Sequence, residues 1–239
     1  MLIAIPSKGR AGQTTTNRIL PNIGTFFVPI SEYHQYKGLV KNLECVPKEI
    51  QGITATRNWI LQHTDDRWVV FLDDDAKNVG WTKLNKRKSQ KIDIQDEGFW
   101  AEEFIKAFDL TEQLGYKIWG VKTETAPRSV YPYKPILFKT YVTASCMGMV
   151  NDGEFLFNTQ FKVKEDYEIC LRHITKYGGI LGIRYIHWEN EHWTTDGGCK
   201  SYRTINMEKQ AIKDLIKMYP GMIASAKRKA NQFTIKLNL

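Results

Sequence analysis

Apolar residues recur along this chain in two patterns. Short uninterrupted runs at Leu2–Pro6, Thr25–Ile30, Leu43–Val46 and Trp68–Leu72 have the length and density of strands buried on both faces. Between them lie segments with helical spacing. The clearest is Gly52–Leu61, where Ile53, Arg57, Ile60 and Leu61 fall at that spacing, and Ser31 with Glu32 can begin another. The resulting order, β-α-β-α-β-α-β, predicts an α/β fold with a mostly parallel sheet and helices on its faces.

The second half continues the alternation less regularly. Lys83–Lys91 carries five cations, no acid and no apolar period, which predicts a loop. Trp100, Phe104, Ala107, Phe108 and Thr111 mark an amphipathic helix ended by Gly115. Ile118–Val121 and Ile136–Ala144 have strand character, with Cys146–Met149 closing the second. Between them runs a segment rich in Pro, Tyr and Arg that contains Arg128, Tyr131 and Tyr133. Lys164–Glu168 opens a helix whose apolar face is Tyr167, Cys170, Leu171 and Ile174, with Gly178 and Gly179 at its end. Gly182–Trp188 has the pattern of a late strand. A final helix is expected over about Tyr202–Met218, with Ile205, Ile212, Leu215, Ile216 and Tyr219 facing inward. This divides the chain into an α/β domain over 1–200 and a basic helix and tail over 201–239, packed on the same domain.

Charge sharpens the picture. The net charge of +8 favours a polyanionic partner, and from Lys200 onward nine cations face two acids. Nucleic acid is the natural partner of that tail, with a generic basic surface as the alternative. The four cysteines form no Cys-x-x-Cys pair, which argues for free thiols in a reducing compartment over a zinc site. No apolar run is long enough to span a bilayer, so a cytoplasmic location is expected.

Chemistry concentrates at the ends of the predicted strands. Asp73, Asp74 and Asp75 follow the Trp68–Leu72 run directly. Crowded carboxylates raise one another's pKa, and at the carboxyl edge of a parallel sheet they suit a hard divalent cation that shares its shell with phosphate oxygens. An acidic turn or helix cap is the plainer alternative. Pro6, Ser7 and Arg10 stand where the first strand ends, in a loop offering N–H groups, a hydroxyl and cations to a diphosphate, although no Walker spacing is present. Arg57 can reach a nucleotide or orient the acids, and Gly148 permits close backbone approach. Glu165 and Asp166 sit in a first helical turn, where acids suit the helix dipole and where one can also serve as a general base. His187 or His192 can complete a cation's shell.

The motifs in order, Ile-Pro-Ser-Lys-Gly-Arg, Gly-x-x-x-x-Arg-Asn, Phe-Leu-Asp-Asp-Asp, Lys-Glu-Asp-Tyr-Glu and His-Trp-Glu-Asn, resemble a GT-A-type glycosyltransferase over roughly residues 1–200. More narrowly they resemble the phage TET-associated glycosyltransferases that modify DNA, a group related to the enzyme that makes base J. The resemblance implies a GT-A-like, Rossmann-like sheet and a nucleotide-sugar donor such as a UDP-sugar, used with Mn²⁺ or Mg²⁺. The implied acceptor is a hydroxymethylated cytosine or uracil in double-stranded DNA. It matches Asp73 and Asp75 to a metal-gripping Asp-x-Asp, with Asp74 an extra acid that leaves the pair open. Pro6, Ser7, Arg10 and Arg57, with Asp73 and Asp74, match donor contacts. Asp166 matches the base of inverting members, and His187 the late metal ligand with His192 in reserve. Lys83, Lys86, Arg87, Lys88, Lys91, Arg128, Lys227, Arg228 and Lys229 are then candidates for phosphate contacts with DNA. Competing readings are a glycan or small-molecule acceptor on the same fold, a non-catalytic DNA-binding protein, and a nucleotidyltransferase.

Overall fold

The structure, a computed structural model, describes residues 1–85, 88–121, 134–190, 203–229 and 232–238. Side chains at 84–85, 88–89, 226–229 and 232–236 fall outside the description. In chain order the main elements begin with β1 (Leu2–Pro6), α1 (Thr15–Ile19), β2 (Thr25–Pro29), α2 (Tyr33–Tyr36), β3 (Leu43–Val46), α3 (Ile53–Gln62) and β4 (Trp68–Leu72). Next come β5 (Ala76–Asn85), β6 (Lys88–Asp93), α4 (Glu97–Gln113), β7 (Ile118–Val121), β8 (Ile136–Leu137), β9 (Cys146–Val150) and α5 (Glu165–Tyr177). The chain closes with β10 (Leu181–Ile183), β11 (Ile186–Asn190), α6 (Ile205–Met218), β12 (Ile223–Lys229) and β13 (Gln232–Leu237).

Eight strands form the central sheet in the order β3-β2-β1-β4-β9-β7-β10-β8. β9 runs antiparallel to both neighbours and β8 antiparallel to β10, while the other pairings are parallel. The uninterrupted apolar runs are explained by burial on both sides. Along β4, Val69 and Phe71 join a core containing Ile60 of α3 and Ile169 of α5. Val70 and Leu72 join the opposite core, which contains Trp100, Phe104 and Phe108 of α4. A second sheet, β11-β5-β6, packs beside the first through the fully buried Trp188, whose ring meets Trp100 edge-on at 5.1 Å. Because the chain moves from β1 outward to β3 and returns to place β4 on the other side of β1, a topological switch point lies between β1 and β4. Open α/β sheets bind ligands at the carboxyl edge of that point.

Several expected elements differ. In the basic stretch at Lys83–Lys91, expected as a loop, Lys83–Asn85 and Lys88–Lys91 are strand residues of β5 and β6, with Lys83 opposite Gln90 and Thr82 opposite Lys91. The pairing of β5 with β11 stops at Trp81, ahead of this stretch. The run at Ile136–Ala144 pairs only at Ile136–Leu137, and β9 is a separate strand. The run at Gly182–Trp188 is two strands in two sheets, divided around Arg184 and Tyr185. In α6, Ile212 and Leu215 are buried as expected, but Ile205 at the first turn is exposed. The tail beyond α6 is the β12–β13 hairpin. Among the described residues no helix is long and apolar enough to cross a membrane.

Candidate active site

The three acids leave β4 at the switch point, and buried polar groups fix their backbone. Thr16, fully buried in α1, donates its Oγ1 to the Asp73 carbonyl at 2.7 Å and accepts from the Ala76 N–H at 2.9 Å. The Asp73 N–H reaches the Ser145 carbonyl at 3.1 Å, just ahead of the antiparallel β9. The turn is thereby held from both sides of the sheet, and its side chains diverge.

Asp74 and Asp75 point toward the loop after β1. Asp74 is buried, accepts from Ser7 Oγ, and pairs with Arg10 Nη1 at 2.5 Å. The same nitrogen reaches Asp75 Oδ2 at 3.0 Å. The loop itself is tied down by α2 and the residues before it. Tyr36, fully buried, accepts from the Arg10 N–H at 3.0 Å and lies 2.8 Å from Ser7 Oγ, and Glu32 accepts from the Gly9 N–H at 2.6 Å. The Ser7 N–H goes to the Phe27 carbonyl. Of the groups this loop is expected to offer a diphosphate, the N–H groups of Ser7, Gly9 and Arg10 and the Ser7 hydroxyl bond within the protein, so Asp74 and Ser7 fasten the loop. Pro6 sits in the β1–β2 pairing opposite Phe27.

Asp73 meets different partners. Its Oδ1 lies 3.5 Å from Arg57 Nη2, and its Oδ2 accepts from Asn190 Nδ2 at 2.8 Å. Arg57 is 3% exposed, packs over the Phe71 and Phe157 rings, and gives Nη1 to Glu165 at 2.9 Å. Glu165 and Asp166 open α5, so this arginine joins the acid turn to that helix. Confinement and the neighbouring Asp75, Asp74 and Glu165 charges push the Asp73 carboxyl up to about 7, against the pull of Arg57. Burial and Glu165 push Asp166 up to about 6, opposed by Lys164, by its bond from the Tyr167 N–H and by Arg57.

Two further candidates meet other partners. His187 is held in the small sheet, with Nδ1 3.3 Å from Thr82 Oγ1 and Nε2 3.7 Å from Asp93. The residue of β11 that meets the acids is Asn190, brought round by a register shift between Glu189 and Asn190. Gly148 lies mid-strand in β9, where a Cβ would stand 2.0 Å from the Trp119 indole nitrogen. Its small size lets the Trp119 ring pack against the strand. Of the basic candidates, Lys83 is exposed beside the Trp81 ring at 5.0 Å, and Lys91 is paired with Glu189. Lys88 lies on β6, and Lys227, Arg228 and Lys229 on β12, with side chains outside the description. Lys86, Arg87, Arg128 and His192 lie outside the described residues, as do Tyr131 and Tyr133.

A hard cation fits the donors at Asp73. Asp73 supplies carboxylate oxygens, Asp75 stands two residues on with its Oδ2 paired to Arg10, and Asn190 Oδ1 is buried without a hydrogen-bond partner among the described residues although its amide nitrogen already holds Asp73. Oxygen donors of this kind suit Mg²⁺ or Mn²⁺. Among the described residues no preformed group of three or more His, Cys, Asp or Glu side chains encloses a metal position.

The mostly parallel sheet with helices on its faces is a fold found in solved glycosyltransferase structures. A mannosyltransferase from Pyrobaculum calidifontis, determined with GDP-Man and Mn²⁺, superposes with a TM-score of 0.55 at 12% identity, over 89% of this chain and 64% of that one. Glucosyl-3-phosphoglycerate synthase from Mycobacterium tuberculosis, with Mn²⁺, UDP-glucose and glycerol 3-phosphate, gives 0.54 at 10% identity, over 94% and 83%. S. aureus TarS 1–349 with UDP-GlcNAc gives 0.50 at 12%, over 90% and 67%. At such identities the likeness is one of fold, and the chain spans as little as 59% of a TarS 1–349 chain. No curated protein matches the sequence. The TET-associated glycosyltransferase family matches residues 1–198, and the chain belongs to it.

Proposed function

We propose that this protein is a metal-dependent glycosyltransferase that moves a sugar from a nucleotide-sugar donor, a UDP-sugar foremost, to the hydroxymethyl group of 5-hydroxymethylcytosine or 5-hydroxymethyluracil in duplex DNA. The observation that carries the reading is the meeting of Asp73, Arg57, Glu165 and Asn190 at the switch point, beside Asp166. Family membership supports a glycosyltransferase, and the Mn²⁺ and nucleotide sugars found with fold neighbours support the same donor chemistry here.

Asp73 and Asp75 are the residues that would hold Mn²⁺ or Mg²⁺. When bound, such a cation neutralises the charge that grows on the departing diphosphate. Arg10 and Arg57 add fixed positive charge on either side of the acids, where a preorganised charge is worth more than in water. Asp166 accepts the proton of the acceptor hydroxyl as its oxygen bonds to the anomeric carbon and the nucleoside diphosphate leaves. A pKa near 6 leaves it largely ionised at neutral pH yet more basic than an ordinary carboxylate. Reaching a pyrimidine inside a duplex requires the base to flip out, at a few kcal/mol. The basic β5–β6 ribbon and β12 strand suit sequence-independent phosphate contacts.

The test is to incubate the protein and Mn²⁺ with hydroxymethylated DNA, unmodified DNA and a panel of nucleotide sugars, then to weigh the digested nucleosides. One glycosyl mass added to the hydroxymethylated nucleoside alone is expected. Transfer to glycans or small alcohols with DNA untouched would move the acceptor, and no transfer from any donor would overturn the reading.

A further inference from the structure

Arg57 occupies a position that no simple donor-binding role explains. It is 3% exposed, its Nε has no hydrogen-bond partner among the described residues, Nη1 pairs with Glu165, and Nη2 lies 3.4 Å from the Ala144 carbonyl and 3.5 Å from Asp73. The pairing is unequal: Glu165 at 2.9 Å and Asp73 at 3.5 Å. A guanidinium is a rigid planar fork that prefers to engage one carboxylate through two nitrogens. Given Asp73 alone, it would close on that acid and occupy the oxygens a cation needs. Resting on the metal-dependent reading above, we propose that Glu165 is a positioning residue that draws Arg57 back from Asp73. Asp73 is thereby kept open to a divalent cation while Arg57 still binds α5 to the acid turn.

The role is separable from that of Asp166. Asp166 accepts from its own neighbour's N–H and makes no ion pair with Arg57, whereas Glu165 holds the arginine's Nη1 at 2.9 Å. Glu165 is also distinct from a ligand, because it reaches the acid turn across the intervening guanidinium.

A double-mutant cycle read by Mn²⁺ binding alone, without donor or acceptor, tests this. Free Mn²⁺ is followed by electron paramagnetic resonance, and circular dichroism confirms folding. Glu165→Gln is expected to weaken Mn²⁺ binding about tenfold, within the range of coupling between contacting charged groups. Arg57→Gln is expected to tighten it. With Arg57 already replaced, Glu165→Gln should change affinity less than about twofold, within the usual additivity error. Should Arg57→Gln fail to fold, Arg57→Met, which keeps an apolar stem on the Phe71 and Phe157 rings, takes its place. A similar weakening by Glu165→Gln in both backgrounds would make Glu165 a direct charge or ligand and overturn the proposal. Unchanged affinity in Glu165→Gln, with the wild type binding Mn²⁺, would overturn it alone. No Mn²⁺ binding by the wild type would overturn the metal-dependent reading with it.

Discussion

Asp73 and Asp74 are adjacent in sequence and opposite in circumstance. Asp74 is buried against Ser7 and Arg10, each of which is itself held by Tyr36. Asp73 shares one arginine with Glu165, leans on a single amide from Asn190, and has its carboxyl pushed up to about 7. The difference comes from the backbone turn, which aims successive side chains at different elements. One side of the turn is a fastener, where a single arginine nitrogen is at 2.5 and 3.0 Å from its two acids. On the other, the arginine stands 3.5 Å from Asp73, whose carboxyl is pushed up. A site built for a cation and a proton transfer belongs on that second side.

The largest effect is expected at Asp75, which shares Arg10 with Asp74. Asp75→Ala should lower transfer by about a thousandfold or more, as expected when a metal-holding carboxylate is lost. Arg10 keeps its pair with Asp74, so the fold should survive; near-normal turnover would remove Asp75 from the metal site. Next in size is Asp166→Asn. Loss of a general base costs about 10²–10⁴-fold in turnover, while donor affinity measured by calorimetry should stay unchanged. An unaltered rate would leave Asp166 without a catalytic role.

The fastening side predicts a loss of stability in place of chemistry. Asp74→Asn leaves Arg10 with one acid and should cost about 3 kcal/mol in urea denaturation, as for other broken buried pairs. A neutral result would mean that the loop after β1 holds its shape without the clamp. The smallest expected effect concerns pH. Asp73 and Asp166 hold their protons to about 7 and about 6 in the folded state, above the ordinary 3.8. Their stabilising contribution is therefore complete below about pH 4 and is lost as pH rises through 6 to 7. A cation that prefers the ionised acids should accordingly raise the melting temperature more at pH 8 than at pH 5. Equal Mn²⁺ shifts at both values would contradict the raised pKa of Asp73.

Much of this arrangement is legible in the amino-acid sequence. The strands at Leu2–Pro6 and Trp68–Leu72 can be bounded because a doubly buried strand admits few polar residues, and the acids stand out by following one. Arg57 is visible as a charge amid apolar helical positions. The β5–β6 hairpin is not, because its basic sequence carries no apolar alternation. Nor is the break in Gly182–Trp188, since a strand that changes sheets keeps an apolar pattern throughout. Asn190 and Tyr36 escape for a different reason. Each meets its partner across the fold, Asn190 with Asp73 at a separation of 117 residues and Tyr36 with Arg10 at 26, and neither contact leaves a periodic trace. The register shift that turns Asn190 toward Asp73 has no signal in Ile-His-Trp-Glu-Asn either, which is why the neighbouring histidine is the more visible candidate.

The central claim is that the open side of the acid turn receives a cation together with a nucleotide diphosphate. Calorimetric titration of UDP into the wild-type protein, once with Mn²⁺ and once with a chelator, addresses it most directly. The account predicts saturable binding that requires Mn²⁺ and disappears in Asp75→Ala. Equal binding with and without the metal, or binding that survives the loss of Asp75, would contradict it.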